Sequence, residues 1–140
     1  MIRRILIATD GSRQADRAVN YGLELAELSG AEVHALYVVE TKANYILKVN
    51  LDDNAMKEHE EYGKETVTAI VEQAAERGLE AKGAVRKGKI AREIVDYGRD
   101  KKIDTIVMGR QGSGAVDRYL GATAEKVVRM SDIPVTIVQS

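Results

Sequence analysis

Two stretches of this chain carry residue types suited to holding a charged, hydroxyl-rich ligand, and each begins where an apolar run ends. The first is Ala8-Thr9-Asp10-Gly11-Ser12, after the run Ile5 to Ala8. An ionised carboxylate at Asp10 accepts hydrogen bonds, and a pair of sugar hydroxyls donates them. The same position serves equally well to cap a following helix, so ribose binding and capping both stay open. The second stretch is Met108-Gly109-Arg110-Gln111-Gly112-Ser113-Gly114, followed by Gly121-Ala122-Thr123. Glycines let the backbone approach a ligand closely. If a helix starts at 121–123, the N–H groups of Gly121, Ala122 and Thr123 have no intrahelical acceptors and lie at the positive end of its dipole, an arrangement that binds phosphate. The Thr123 hydroxyl adds a donor there, and Arg110 and Arg118 either contact phosphates or face water. A flexible loop without a ligand is the plainer account of the same glycines.

Other phosphate and catalytic chemistries fit poorly. Gly112-Ser113-Gly114 would need a glycine at 117 to complete the dinucleotide fingerprint, and Asp117 stands there. Gly83-Ala84-Val85-Arg86-Lys87-Gly88-Lys89-Ile90 spells a P-loop up to Ile90, which replaces the hydroxyl residue that would hold magnesium. A phosphoacceptor domain would need clustered acids at strand ends, where only Asp10 is expected. His34 and His59 have no partner at metal-ligand spacing, so no metal residue is assigned and His34 is read as structural or surface. Cysteine is absent, which removes disulfides, thiolate ligands and a thiol nucleophile.

The elements that must position these residues follow from apolar periodicity. Short Val- and Ile-rich runs at Arg4–Thr9, Glu32–Val39, Ala81–Arg86, Thr105–Met108 and Pro134–Val138 alternate with stretches of helical spacing. The helical stripes are Ala15, Ala18, Val19, Gly22, Leu25 and Ala26, then Val67, Ile70, Val71 and Ala74, then Ile90, Ile94 and Val95, and finally Ala124, Val127 and Val128. Gly30 and Gly78 sit where C-terminal caps belong. Tyr37 is expected to pack under a helix. This alternation predicts an α/β fold, an open five-stranded parallel sheet with helices on both faces. The first strand is apolar on both faces and therefore central. Right-handed crossovers then require the order 3-2-1-4-5, with the ends of strands one and four side by side at the switch point where such sheets take ligands.

With 140 residues and a formal net charge of −1, the chain is read as one domain, 1–140, without the basic footprint of nucleic-acid binding. Ile5 to Ala8 is too short for a signal or membrane segment, so no membrane partner and a cytoplasmic location are expected. The connection Thr41–Ala55 is unusually long and apolar, and it reads as a lid, a dimer contact or the first turns of the second helix.

Thr9-Asp10-Gly11-Ser12, the glycine series and the closing Ile133-Pro134-Val135-Thr136-Ile137-Val138 together resemble the universal stress protein family over essentially the whole chain. Its nucleotide-binding branch carries Gly, two residues, Gly, nine residues, then Gly followed by Ser or Thr. Gly109 and Gly112 match this, but only eight residues separate Gly112 from Gly121, and Ala122 replaces the hydroxyl residue. The proline usual two residues before the aspartate is Ala8 here. The resemblance implies a Rossmann-like fold that binds ATP or AMP, with magnesium at the phosphates. It puts Asp10 at the ribose, backbone near Val38 and Met108 around adenine, and Gly109, Gly112, Gly121, Ala122 and Thr123 at the phosphates.

The expected function is thus an adenine-nucleotide-binding regulatory or stress-response protein, with slow ATP hydrolysis at most and no catalytic residue assigned. The alternative is a dimeric interaction module of the same family that binds no nucleotide. Strand five, Pro134–Val138, would be an apolar edge lacking the charges and bulges that blunt edges, which predicts a homodimer through it. A proline at Thr136 is expected to remove an edge donor and break that dimer.

Overall fold

The computed structural model describes residues 1–41, 53–111 and 120–140, with the Asp53 side chain left aside. The chain runs β1 (Arg4–Ala8), a 3-10 turn (Arg13–Ala15), α1 (Asp16–Ser29), β2 (Glu32–Glu40), α2 (Asp53–Glu76), β3 (Ala81–Gly88), α3 (Ile90–Asp100), β4 (Thr105–Gly109), α4 (Ala122–Met130) and β5 (Val135–Val138). All neighbouring strands are parallel, and the sheet order is β3-β2-β1-β4-β5. The expected order 3-2-1-4-5 is therefore observed.

Strand geometry divides the core. Successive side chains point to opposite faces, so Ile5 and Ile7 of β1 meet α1 and α2, whereas Leu6 and Ala8 meet α3 and α4. The first cluster adds Val33, Ala35, Tyr37 and Val107 to Leu23, Val67 and Ile70. The second joins Leu36, Ile106 and Met108 to Ile94, Tyr97 and Val127. Tyr37 lies under α2 as expected, because Gly63 brings that helix close: a Cβ there would lie 2.5 Å from the Tyr37 ring.

Helix ends agree with the sequence reading. Gly30 caps α1 in the left-handed region at φ 71°, its N–H on the Ala26 carbonyl. Gly78 does the same after α2 at φ 75°, with Leu79 N–H on Ala74 O. Of the long connection, Thr41 donates its N–H to Gly88 O, Asp53 to Ala55 belong to α2, and 42–52 lie outside the described residues.

Three expectations need correction. Val128, assigned to the buried stripe of α4, is 48% exposed, because this helix meets the sheet through Ala124 and Val127, with Met130 partly buried beside them. The turn at Asp10 does not cap the first helix, because the 3-10 turn intervenes and the N-cap of α1 is Ala15, with no side-chain cap bond. The third concerns the edge of β5. Ile106 N–H bonds Pro134 O and Arg110 N–H bonds Val138 O, so the ladder turns the backbone groups of Thr136 toward β4. The outward donors are those of Val135 and Ile137. A proline at Thr136 would break the sheet's own bonding instead of its free edge.

His34 proves to be structural and fully buried. Its Nε2 lies 2.8 Å from Glu32 Oε1 and its Nδ1 2.6 Å from the Tyr97 hydroxyl. A carboxylate only accepts, so Nε2 carries the proton and Nδ1 accepts from Tyr97. The bond joins β2 to α3. Burial holds the imidazole pKa below its ordinary 6.5, although the Glu32 charge works in the opposite direction. Among the described residues no helix is long and apolar enough to cross a membrane.

Candidate functional site

At the carboxyl ends of β1 and β4, on the α3–α4 side of the sheet, lies a cavity of about 330 Å³. It falls within the size range of small-molecule sites. Buried Ala8, Leu36, Ile94 and Met108 make an apolar inner wall, extended by Val38 and Ile90. Polar groups stand at the other side: Thr9 and Asp10 from the β1 turn, Gly109, Arg110 and Gln111 after β4, and Gly121 to Ala124 at the start of α4.

Each segment is held by identifiable bonds. Beyond β1, Thr9 N–H reaches Leu36 O at 3.1 Å. Gly11 N–H donates to Thr9 Oγ1 at 3.0 Å and Ser12 N–H to Asp10 Oδ1 at 2.9 Å, so the short polar side chains fold the turn onto itself. Asp10 is therefore a local cap as well as an exposed carboxylate at the cavity. Gly11 takes φ 76°, a left-handed conformation that glycine adopts without steric cost.

After β4, Arg110 acts as a backbone junction. Its N–H bonds Val138 O and its carbonyl accepts from Gly121 N–H at 2.8 Å. One of the three donors expected at the helix start is consequently used within the protein. Gly121 is extended at φ −63° and ψ 156°, and its carbonyl receives Glu125 N–H. The N–H groups of Ala122, Thr123 and Ala124 have no partner among the described residues, and no side chain caps the helix. Three donors at the positive end of α4 thus remain, displaced one residue along from those expected.

Of the residues singled out from sequence, Ala8, Asp10, Val38, Met108, Gly109, Gly121, Ala122 and Thr123 all line this cavity. Gly112 lies outside the described residues, as do Ser113, Gly114 and Arg118. Sequence reasoning missed the α3 wall. Ile90 and Ile94 were counted only as a core stripe, because helical spacing shows which face meets the sheet and not where the sheet's cover ends. Among the described residues no three His, Asp or Glu side chains gather as a metal site would require.

Residues 1–139 match the model of the universal stress protein family. The chain belongs to that family. A universal stress protein of Methanocaldococcus jannaschii is 32% identical, the match covering 99% of this chain and 83% of that one. The universal stress protein YxiE of Bacillus subtilis is 30% identical over 99% of this chain and all of its own length. The solved structure of the M. jannaschii universal stress protein MJ0577 superposes with a TM-score of 0.86 at 28% identity, covering 100% of this chain and 97% of that one. A universal stress protein of Archaeoglobus fulgidus solved in complex with dAMP has a TM-score of 0.71 at 22% identity, covering 99% and 100%, a likeness that speaks for the fold.

Proposed function

We propose that this cavity binds an adenine nucleotide, ATP or AMP, and that the protein acts as a nucleotide-responsive regulatory member of its family. One observation carries the reading: an apolar slot, a carboxylate and the unpartnered amides of a helix start border the same 330 Å³ space. A purine fits the slot beside Val38 and Met108, ribose hydroxyls donate to Asp10, and phosphate accepts from Ala122, Thr123 and Ala124. Gly109 and Gly121 keep the backbone low beside it, and Gly112 is assigned to the same phosphate loop by the family pattern. The dAMP complex of the A. fulgidus relative shows this fold accommodating such a ligand in another protein. Asp10 is the only carboxylate among the cavity's described residues, too few for a protein-held magnesium, so magnesium would arrive on the phosphates.

A second reading, a dimeric interaction module without nucleotide, has its own support. A Cβ on Gly121 would lie 3.0 Å from Arg110 O and 3.3 Å from Gln111 Cα, so loop packing alone demands that glycine. In either reading the homodimer is formed through β5, whose outward groups at Val135 and Ile137 have no neighbouring strand among the described residues. Titration calorimetry and thermal shift with AMP and ATP, with and without magnesium, separate the two. Saturable binding of either nucleotide supports the first, and no heat or shift at millimolar ligand leaves the second.

A further inference from the structure

The turn that carries Asp10 is also held from the opposite face of the sheet, by a side chain outside the cavity. The Tyr62 hydroxyl of α2 donates to Gly11 O at 3.0 Å. Its ring lies against the Gly11 Cα so closely that a Cβ there would come within 2.5 Å of the hydroxyl oxygen and 2.8 Å of the ring. Gly11 is thus glycine for two reasons, its left-handed φ of 76° and the space Tyr62 occupies.

Tyr62 is itself braced. Its ring packs edge-to-face on Tyr37, with centroids 5.7 Å apart and an interplanar angle of 71°. Tyr37 is buried in β2, and the adjacent Gly63 lets α2 approach it. A line of contacts therefore runs from the core through Tyr37 and Tyr62 to Gly11. It ends one residue from the carboxylate, whose Oδ1 is bonded to the next N–H of the same turn.

We propose that Tyr62 is a positioning residue, latching the Gly11 carbonyl so that the Asp10 carboxylate is held toward the cavity. The hydroxyl's bond is to the Gly11 main chain, so its influence passes through the turn. Tyr62 lies in α2 (Asp53–Glu76), so the latch ties this helix to the binding turn. The binding arm of this inference rests on the nucleotide reading above, whereas the latch itself does not.

Tyr62→Phe removes the hydroxyl and keeps the ring stack on Tyr37. Two measurements follow. In ligand-free protein, amide exchange at Gly11 and Ser12 should quicken several-fold, with exchange in the β1 and β4 cores unchanged. In calorimetry, AMP affinity should fall about three- to tenfold, the range expected for one mispositioned hydrogen-bonding group. Affinity for 2′,3′-dideoxyadenosine monophosphate, which lacks the ribose hydroxyls, should not change, and in an Asp10→Ala background the Tyr62→Phe effect on AMP should vanish. Unchanged exchange at Gly11 and Ser12 overturns the latch whether or not nucleotide binds. Equal losses for AMP and its dideoxy analogue overturn the positioning role and leave a merely structural tyrosine. If exchange quickens but wild-type protein binds neither AMP nor ATP, the latch stands and the nucleotide reading falls.

Discussion

Replacing Asp10 separates its two jobs, because one carboxylate oxygen caps the turn and ribose binding calls on the carboxylate as an acceptor of two hydroxyls. Asp10→Asn keeps a carbonyl oxygen for the Ser12 N–H, now at 2.9 Å from Oδ1, and replaces the other oxygen with a donor. Hydrogen bonds to charged groups contribute about 1.5–3 kcal/mol each when buried. Asp10 is exposed, so the pair of ribose bonds together is taken at about 2 kcal/mol, roughly thirtyfold in Kd. The asparagine, retaining one acceptor, should lose about half of that energy, roughly fivefold in AMP affinity. Asp10→Ala should lose the full thirtyfold and, with the Ser12 N–H bond gone, about 0.5–1.5 kcal/mol of stability in addition. The assay is calorimetric titration with AMP and with its 2′,3′-dideoxy analogue, beside urea unfolding of each variant. Wild-type protein should discriminate between the two ligands and both variants should discriminate less. Asparagine and alanine variants that bind AMP as tightly as wild type would refute the assignment of Asp10 to the ribose.

Ala122→Pro should weaken AMP and ATP several-fold and leave adenosine unaffected, since proline suits a first helical position and the preceding Gly121 is already extended at ψ 156°, but the N–H is lost; equal weakening of adenosine in calorimetry would speak against phosphate at the helix start. Light scattering at micromolar concentration should give twice the chain mass, and Ile137→Pro, which removes an outward donor of β5, should give the monomer; a monomeric wild type would rule out the edge pairing. Stability should also depend on His34. Its folded pKa lies below the ordinary 6.5, so the unfolded chain binds the proton first, and stability present above pH 6.5 is lost as pH falls from there toward the folded value. Urea midpoints should therefore drop between pH 7.5 and 5.5, with a shallower slope in Tyr97→Phe protein, whose His34 no longer accepts from the buried hydroxyl; a flat profile in the wild type would contradict this.

Much of the architecture was legible because strands buried on both faces write continuous Val and Ile runs, and β1 places Ile5 and Ile7 on one side and Leu6 and Ala8 on the other. Strand ends were less legible. Gly109 joins β4 and Gly88 ends β3, since main-chain pairing continues past the apolar residues that announce a strand. The cavity's polar residues were found through their types, but its α3 wall was not, because Ile90 and Ile94 read as core whether or not a void lies beside them. Two features depend on contacts distant in sequence. Arg110 O takes the Gly121 N–H, and Tyr62 reaches Gly11 across 51 positions, neither of which has a local pattern.

The central claim, that an adenine nucleotide occupies the space between the β1 turn and the start of α4, is tested most directly by a crystal structure grown with AMP at millimolar concentration. The account predicts density for the base beside Val38 and Met108, ribose hydroxyls within hydrogen-bonding distance of Asp10, and phosphate on the amides of Ala122 to Ala124. A cavity empty under those conditions, or a nucleotide bound elsewhere on the protein, would contradict it.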